Sequence, residues 1–281
     1  MTRVGSWICD SPYSRALGVE LHSLEDGSAE LGLPFKEDNS NPGGALHGGV
    51  AASLSVIGAQ AVTRAALGAD SGPWHTVAFQ INYLAAAINE AVVAEARLLR
   101  RGKELCFVDV AVRTGDGKPI AQANVAVRGR GGLEAAQTAE VEGDDGAVDP
   151  GPIGSRIGAV SFIGRRGIEV ELMREGRSRL RMPWDEGNGD LDGGTHEGAA
   201  LALLDTAGAM AAWAVTGPGR FKASTPSIQS CVLAPPPAED LLAYAQVAQR
   251  DHEIFWSDVV VCSAEDRRIC LRGMVVYRIV T

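Results

Sequence analysis

Two stretches of this chain carry the same pattern 149 residues apart, and that duplication limits what the chain can fold into. Asn41-Pro42-Gly43-Gly44-Ala45-Leu46-His47-Gly48-Gly49 opens directly into an apolar, Ala-rich run, Val50 to Ala66. Gly194-Thr195-His196-Glu197-Gly198 opens into a second such run, Ala199 to Val215. Without a gap, the same shift carries Gly18-Val19-Glu20 onto Gly167-Ile168-Glu169, and Leu31, Pro34 and Phe35 onto Leu180, Pro183 and Trp184. It also carries Thr76 and Gln80 onto Thr225 and Gln229, and Asp109-Val110 onto Asp258-Val259. One register holding from residue 18 to beyond 125 marks two copies of one domain. A length of 281 residues suits two domains.

Each copy reads in the same order. Leu17 to Ser23 and Ser28 to Leu33 are short strand-like runs joined by an Asp-Gly turn, a predicted hairpin. The glycine loop and a helix over Gly48 to Leu67 follow, with Gly68 ending the helix. Four strands come next: His75 to Ala87, Ala91 to Arg101, Leu105 to Arg113 and Pro119 to Arg128. Val108, Val110 and Val112 alternate with Asp109, Ala111 and Arg113, the period of a half-buried strand. Residues 129–164, rich in Gly, Ala, Asp, Glu and Pro, read as a linker between domains at 1–128 and 165–281. The second copy predicts a helix over His196 to Thr216 and long strands over Lys222 to Leu233, Leu241 to Gln249, Ile254 to Ser263 and Ile269 to Ile279. A helix apolar nearly all round has to be enclosed. The expected fold is α+β: two tandem domains, each a curved antiparallel sheet wrapped around one long central helix.

The order Asn-x-x-Gly-x-x-His-Gly-Gly at the mouth of the central helix, carried by Asn41, Gly44, His47, Gly48 and Gly49, resembles the loop of the phenylacetate-pathway (PaaI-like) and 4-hydroxybenzoyl-CoA thioesterases. The resemblance covers both copies and implies the hotdog fold and hydrolysis of an acyl- or aryl-CoA thioester. No cofactor is implied beyond the coenzyme A of the substrate. Members of that family carry an acid nine residues after the histidine. Here the first copy has Val56 there and the second has Asp205. The second loop departs in turn, with Asp190 in place of Asn41 and Glu197 in place of Gly48.

These complementary losses predict one composite site. Nine helical residues rise about 13 Å, too far for a loop amide and an acid on the same helix to meet at one carbonyl. The first loop (Asn41, His47, Gly48, Gly49) is therefore expected to face Asp205 on the second helix. The Gly48 N–H is placed to stabilise an oxyanion. Asp205 is the expected general base, or a nucleophile attacking directly. Asn41 is expected to orient water or the carbonyl, and His47 to brace the loop. Thr206 and Gln80 are further substrate-binding candidates, as is the basic turn Arg100, Arg101 and Lys103, which suits the phosphates of coenzyme A. The opposite pairing, Asp190, His196, Glu197 and Gly198 against Val56, lacks the helix acid and reads as a degenerate second site.

Composition narrows the partners. A net charge of −9 argues against nucleic acid. Five cysteines without C-x-x-C spacing read as free thiols in the cytoplasm. Met1 to Arg15 has no continuous apolar core of a secretory signal. Asp205 in the middle of the second apolar run favours a core helix over a membrane span. The scattered histidines His22, His75 and His252 predict no metal site. A homodimer of two-domain chains is a further expectation. Two other functions share these features: an acyl-CoA-binding protein that has lost hydrolysis, and a hydratase or dehydratase of the same fold. Asp205 opposite an intact loop speaks against both.

Overall fold

The computed structural model describes residues 2–68, 70–129, 137–139 and 146–281. Helices α1 (Arg3–Asp10) and α2 (Pro12–Leu17) lead into hairpin β1 (Glu20–Glu25) and β2 (Ser28–Leu33). The long helix α3 (Gly48–Leu67) precedes β3 (Trp74–Tyr83), β4 (Val92–Arg101), β5 (Leu105–Thr114) and β6 (Pro119–Gly129). The second half repeats this plan. Short helices α4 (Gly151–Gly154) and α5 (Ser161–Arg165) lead into β7 (Glu169–Arg174), β8 (Arg177–Met182) and helix α6 (Glu197–Thr216). Strands β9 (Lys222–Val232), β10 (Leu241–Asp251), β11 (Ile254–Ser263) and β12 (Ile269–Val280) complete it.

Two sequence expectations move. Leu17 ends a helix rather than starting a strand, because Gly18 adopts φ 85° and closes α2 with a left-handed turn. The linker ends before 164, because Gly151 to Arg165 folds as the counterpart of α1 and α2. Its acidic centre, 140–145, lies outside the described residues.

The strands form one twelve-stranded sheet in the order β1-β2-β4-β5-β6-β3-β9-β12-β11-β10-β8-β7. The halves join where β3 pairs antiparallel with β9, Gln80 opposite Gln229 and Ile81 opposite Ile228. Gln80 and Gln229 are the same residue of the two copies, so the pseudo-twofold axis passes between them. The axis also relates the helices: a Cβ on Gly49 would meet Ala202, and one on Gly198 would meet Ser53. Glycine at 49 and 198 therefore lets α3 and α6 cross in close contact. Both helices are long and apolar enough to span a membrane by length and composition, but most of each is buried inside the fold.

The lead-in helices cross over. Tyr13 N–H donates to Gly189 O in the second loop, and Phe162 N–H to Ser40 O in the first. Tyr13 packs on His196 with ring centroids 5.0 Å apart, and Phe162 on His47 at 4.5 Å. Each half thus carries the cover of the other half's loop.

Candidate active site

The first loop is folded tightly by its own backbone. Asn41 N–H donates to Ala45 O at 2.7 Å and Gly44 N–H to Asn41 O at 3.1 Å, with Gly43 at φ 88° and Gly44 at φ 76°. Both angles favour glycine, which explains the pair. His47 caps the helix: its Nδ1 accepts the Gly49 N–H at 2.9 Å. Burial pushes this imidazole down to about 4, so it is neutral at pH 7 and acts as an acceptor. The Gly48 N–H is the first of the helix, with no intrahelical acceptor.

Asp205 stands opposite. Its Oδ2 lies 3.1 Å from where a Gly48 Cβ would sit, and its Oδ1 accepts the Thr225 hydroxyl at 2.8 Å. Burial pushes the carboxyl up to about 6, against the lowering effect of the Thr225 bond. Loop and acid come from different halves, as the helical rise requires. Tyr83, at the end of β3, donates its hydroxyl to Gly48 O at 2.9 Å. Its ring atoms lie 3.4 and 3.5 Å from the same Cβ position. Beyond Asp205, one and two turns along the same face of α6, come Ala209 and Trp213. Trp213 Nε1 donates to the Tyr277 hydroxyl at 3.2 Å, and Phe221 stacks against the indole.

The second junction is built differently. Val56 is fully buried, as expected, yet an acid is present. Glu197, in the place of Gly48, turns its carboxyl inward. It accepts from Gln60 Nε2 at 2.8 Å and from Thr76 N–H at 3.2 Å. Burial pushes it up to about 7. Thr76 is the counterpart of Thr225, so each junction sets one carboxyl beside the same threonine, supplied from mid-helix in one and from the helix start in the other. The helix acid is absent at Val56, and the carboxyl of this junction comes instead from Glu197. Gln60 in turn accepts from Arg64, whose guanidinium lies 3.8 Å over the Trp7 ring and 2.7 Å from Asp192. Asp190 accepts Trp7 Nε1 at 2.8 Å, and Gly198 N–H donates to His196 Nδ1 at 3.0 Å. A cavity of about 500 Å³ opens beside this network.

Several predicted residues lie elsewhere. The Thr206 hydroxyl donates to Ala202 O at 2.8 Å within its own helix. Gln80 faces outward, because its neighbours Phe79 and Ile81 take the core side of β3. It lines a groove of about 1080 Å³ on the outer face of the sheet, away from the helices. Arg100, Arg101 and Lys103 flank the β4–β5 turn, beside the start of β3 at Trp74. Tyr83 is at the other end of that strand, roughly 30 Å away. The basic turn is thus remote from Gly48 and Asp205. Thr225 and Tyr83 were not predicted. The matched pair Thr76 and Thr225 was a visible signal for the first, while Tyr83 has Val232 as its counterpart and no pattern to mark it. Among the described residues no three His, Cys, Asp or Glu side chains converge as metal ligands.

Two wrapped helices, one continuous sheet and loop–helix junctions on a pseudo-twofold axis define a double hotdog protein. The acyl-CoA thioesterase N-terminal domain family matches residues 36–128, from the first loop to the end of β6. A "putative esterase" of Saccharolobus solfataricus is 32% identical over 108 residues, covering 38% of this chain and 75% of that protein. A hot dog-fold protein of unknown function from Alicyclobacillus acidocaldarius superposes with a TM-score of 0.66 at 17% identity, over 100% of this chain and 99% of that one. Acyl-CoA thioesterase II TesB2 from Mycobacterium marinum does so with a TM-score of 0.65 at 11% identity, over 93% and 96%. At such identities the two structures speak for the fold. The chain belongs to the hotdog-fold acyl-CoA thioesterase family, a class of thioester hydrolases.

Proposed function

We propose that the protein hydrolyses an acyl-CoA at the junction of Gly48 and Asp205, with an apolar acyl group lying along Ala209 towards Trp213. The observation that carries this reading is the carboxyl of Asp205, buried and titrating near 6, facing the free first amide of α3 across the two halves. The thioester oxygen takes the Gly48 N–H. Asp205, ionised at pH 7, accepts a proton as water attacks the carbonyl carbon. The tetrahedral oxyanion collapses, the C–S bond breaks, and the leaving thiolate takes the proton from Asp205. The products are a carboxylic acid and free coenzyme A. Asn41 and His47 shape and brace the loop. The helix terminus favours negative charge at Gly48, and the surrounding apolar walls strengthen that effect.

Thiol release from a panel of acyl-CoAs, with wild type beside Asp205→Asn and Glu197→Gln, tests the reading. Asp205→Asn is expected to lose about 10³-fold in kcat. Glu197→Gln is expected to keep the wild-type rate. Full activity in Asp205→Asn removes the assignment. A wild type inactive on every thioester, but raised in melting temperature by acyl-CoA, favours a binding protein.

A further inference from the structure

One peptide unit at the first junction is held from both sides. The Gly48–Gly49 peptide gives its N–H to His47 Nδ1 at 2.9 Å, and its carbonyl accepts the Tyr83 hydroxyl at 2.9 Å. The amide that would meet the substrate, Gly48 N–H, belongs to the preceding peptide unit. Its direction depends on how the Gly48–Gly49 unit is turned, because the two share the Gly48 Cα. Glycine imposes few limits of its own on φ and ψ, so external restraints have to do so.

Among the described residues, the second junction has one of these restraints only. His196 Nδ1 accepts the Gly198 N–H at 3.0 Å, the counterpart of the His47 bond. The position matching Tyr83 is Val232, which has no hydroxyl. The two-sided clamp therefore occurs at the junction that also has Asp205, and not at the other. Tyr83 has a second consequence. Its ring fills the space against Gly48 on the Asp205 side, within 3.5 Å of the Cβ position that Asp205 itself nearly touches. Burial and the neighbouring Asp205 charge both hold the phenol well above its usual range. It remains a donor at any working pH.

We propose that Tyr83 is a positioning residue of the first junction: its hydroxyl aims the Gly48 amide, and its ring keeps water from the side of Asp205. This rests on the hydrolytic reading above. Tyr83 carries no proton in the reaction, so its two contributions separate by substitution. Tyr83→Phe removes the hydroxyl and keeps the ring. It is expected to lower kcat about tenfold or more, with KM within about twofold and the acid limb of the pH profile still near 6. Tyr83→Val copies the other half. It is expected to lower kcat further and to move that limb down, towards the ordinary carboxylate range, as water reaches Asp205.

The experiment is the pH dependence of kcat and KM for both variants, with circular dichroism melting on the same samples. An unchanged kcat in Tyr83→Phe overturns the proposal. So does a loss of kcat that matches a loss of folded protein, or an acid limb that stays in place in Tyr83→Val. A wild type that releases no thiol defeats the hydrolytic reading first, and is distinguishable from each of these.

Discussion

The two junctions start from one register and part at a handful of positions. At the first, the stripe along α6 is Asp205, Ala209 and Trp213, with glycine at the opposing helix start. At the second, the same stripe along α3 is Val56, Gln60 and Arg64, with Glu197 opposite. In the first, the carboxyl accepts the Thr225 hydroxyl and faces the glycine at the start of α3. In the second, it faces Gln60 and Thr76, and every neighbour is bonded to the next as far as Asp192. An acid beside a threonine is common to both. What differs is what faces the carboxyl: Asp205 lies opposite a glycine at the helix start, whereas Glu197 is itself the residue at that position and is bonded to Gln60 and Thr76. A raised carboxyl pKa is common to both junctions, so by itself it does not single out the first.

The largest effect is expected from making the first junction like the second. Gly48→Glu puts a side chain 3.1 Å from Asp205 Oδ2, and kcat should fall about 10³-fold in thiol release. Next is the reverse change. Val56→Asp adds a carboxyl to a fully buried position near Glu197, and should cost several kcal/mol in denaturant unfolding. If it is tolerated, the second junction is wetter than its packing indicates.

The pH behaviour follows. Asp205 titrates near 6 in the folded chain against an ordinary 3.8, so its ionised form is penalised by folding. The contribution of Asp205 to stability is most favourable below 3.8, falls as pH rises through 6 and stays about 3 kcal/mol less favourable above it. Asp205→Asn should therefore raise the melting temperature at pH 8, and the gain should vanish near pH 4. Activity is expected to run the other way, rising with pH through about 6 if Asp205 is the base of the proposed reaction. Arg64→Met removes the guanidinium from Trp7 and leaves Asp192 unpaired. The expected cost is about 2 kcal/mol with kcat unchanged, read by chemical unfolding and thiol release. Smallest of all, Arg100→Ala with Arg101→Ala should leave KM for acyl-CoA within about twofold, since that turn lies at the far end of β3.

Much of this was legible beforehand. The duplication exposed the helices, because a 149-residue shift aligns two apolar runs behind two glycine loops. The pairing of Gly48 with Asp205 was legible because each copy lacks what the other keeps, and the helical rise forbids a site within one copy. The inward turn of Glu197 was not, since a glutamate at a helix start reads as an exposed first-turn acid. Gln80 lies on the outer face of the sheet. It pairs with its own counterpart Gln229 at the β3–β9 seam, on the symmetry axis. The alternation Phe79, Gln80, Ile81 already pointed it outward. Gly151 to Arg165 hid in a composition of Gly, Pro and Ser, where short helices rely on tertiary contact rather than propensity.

The crossed lead-ins bear on how such a chain can vary. In a homodimer of single domains every substitution appears twice, and both junctions change together. Here the copies are free to drift apart in chemistry, as Asp205 and Val56 have done. They are not free to drift apart in space. Phe162 covers His47, and Tyr13 covers His196, so neither half separated at the linker keeps its own cover. The duplication behaves as a clasp: divergence is permitted at the centres and forbidden at the fastenings.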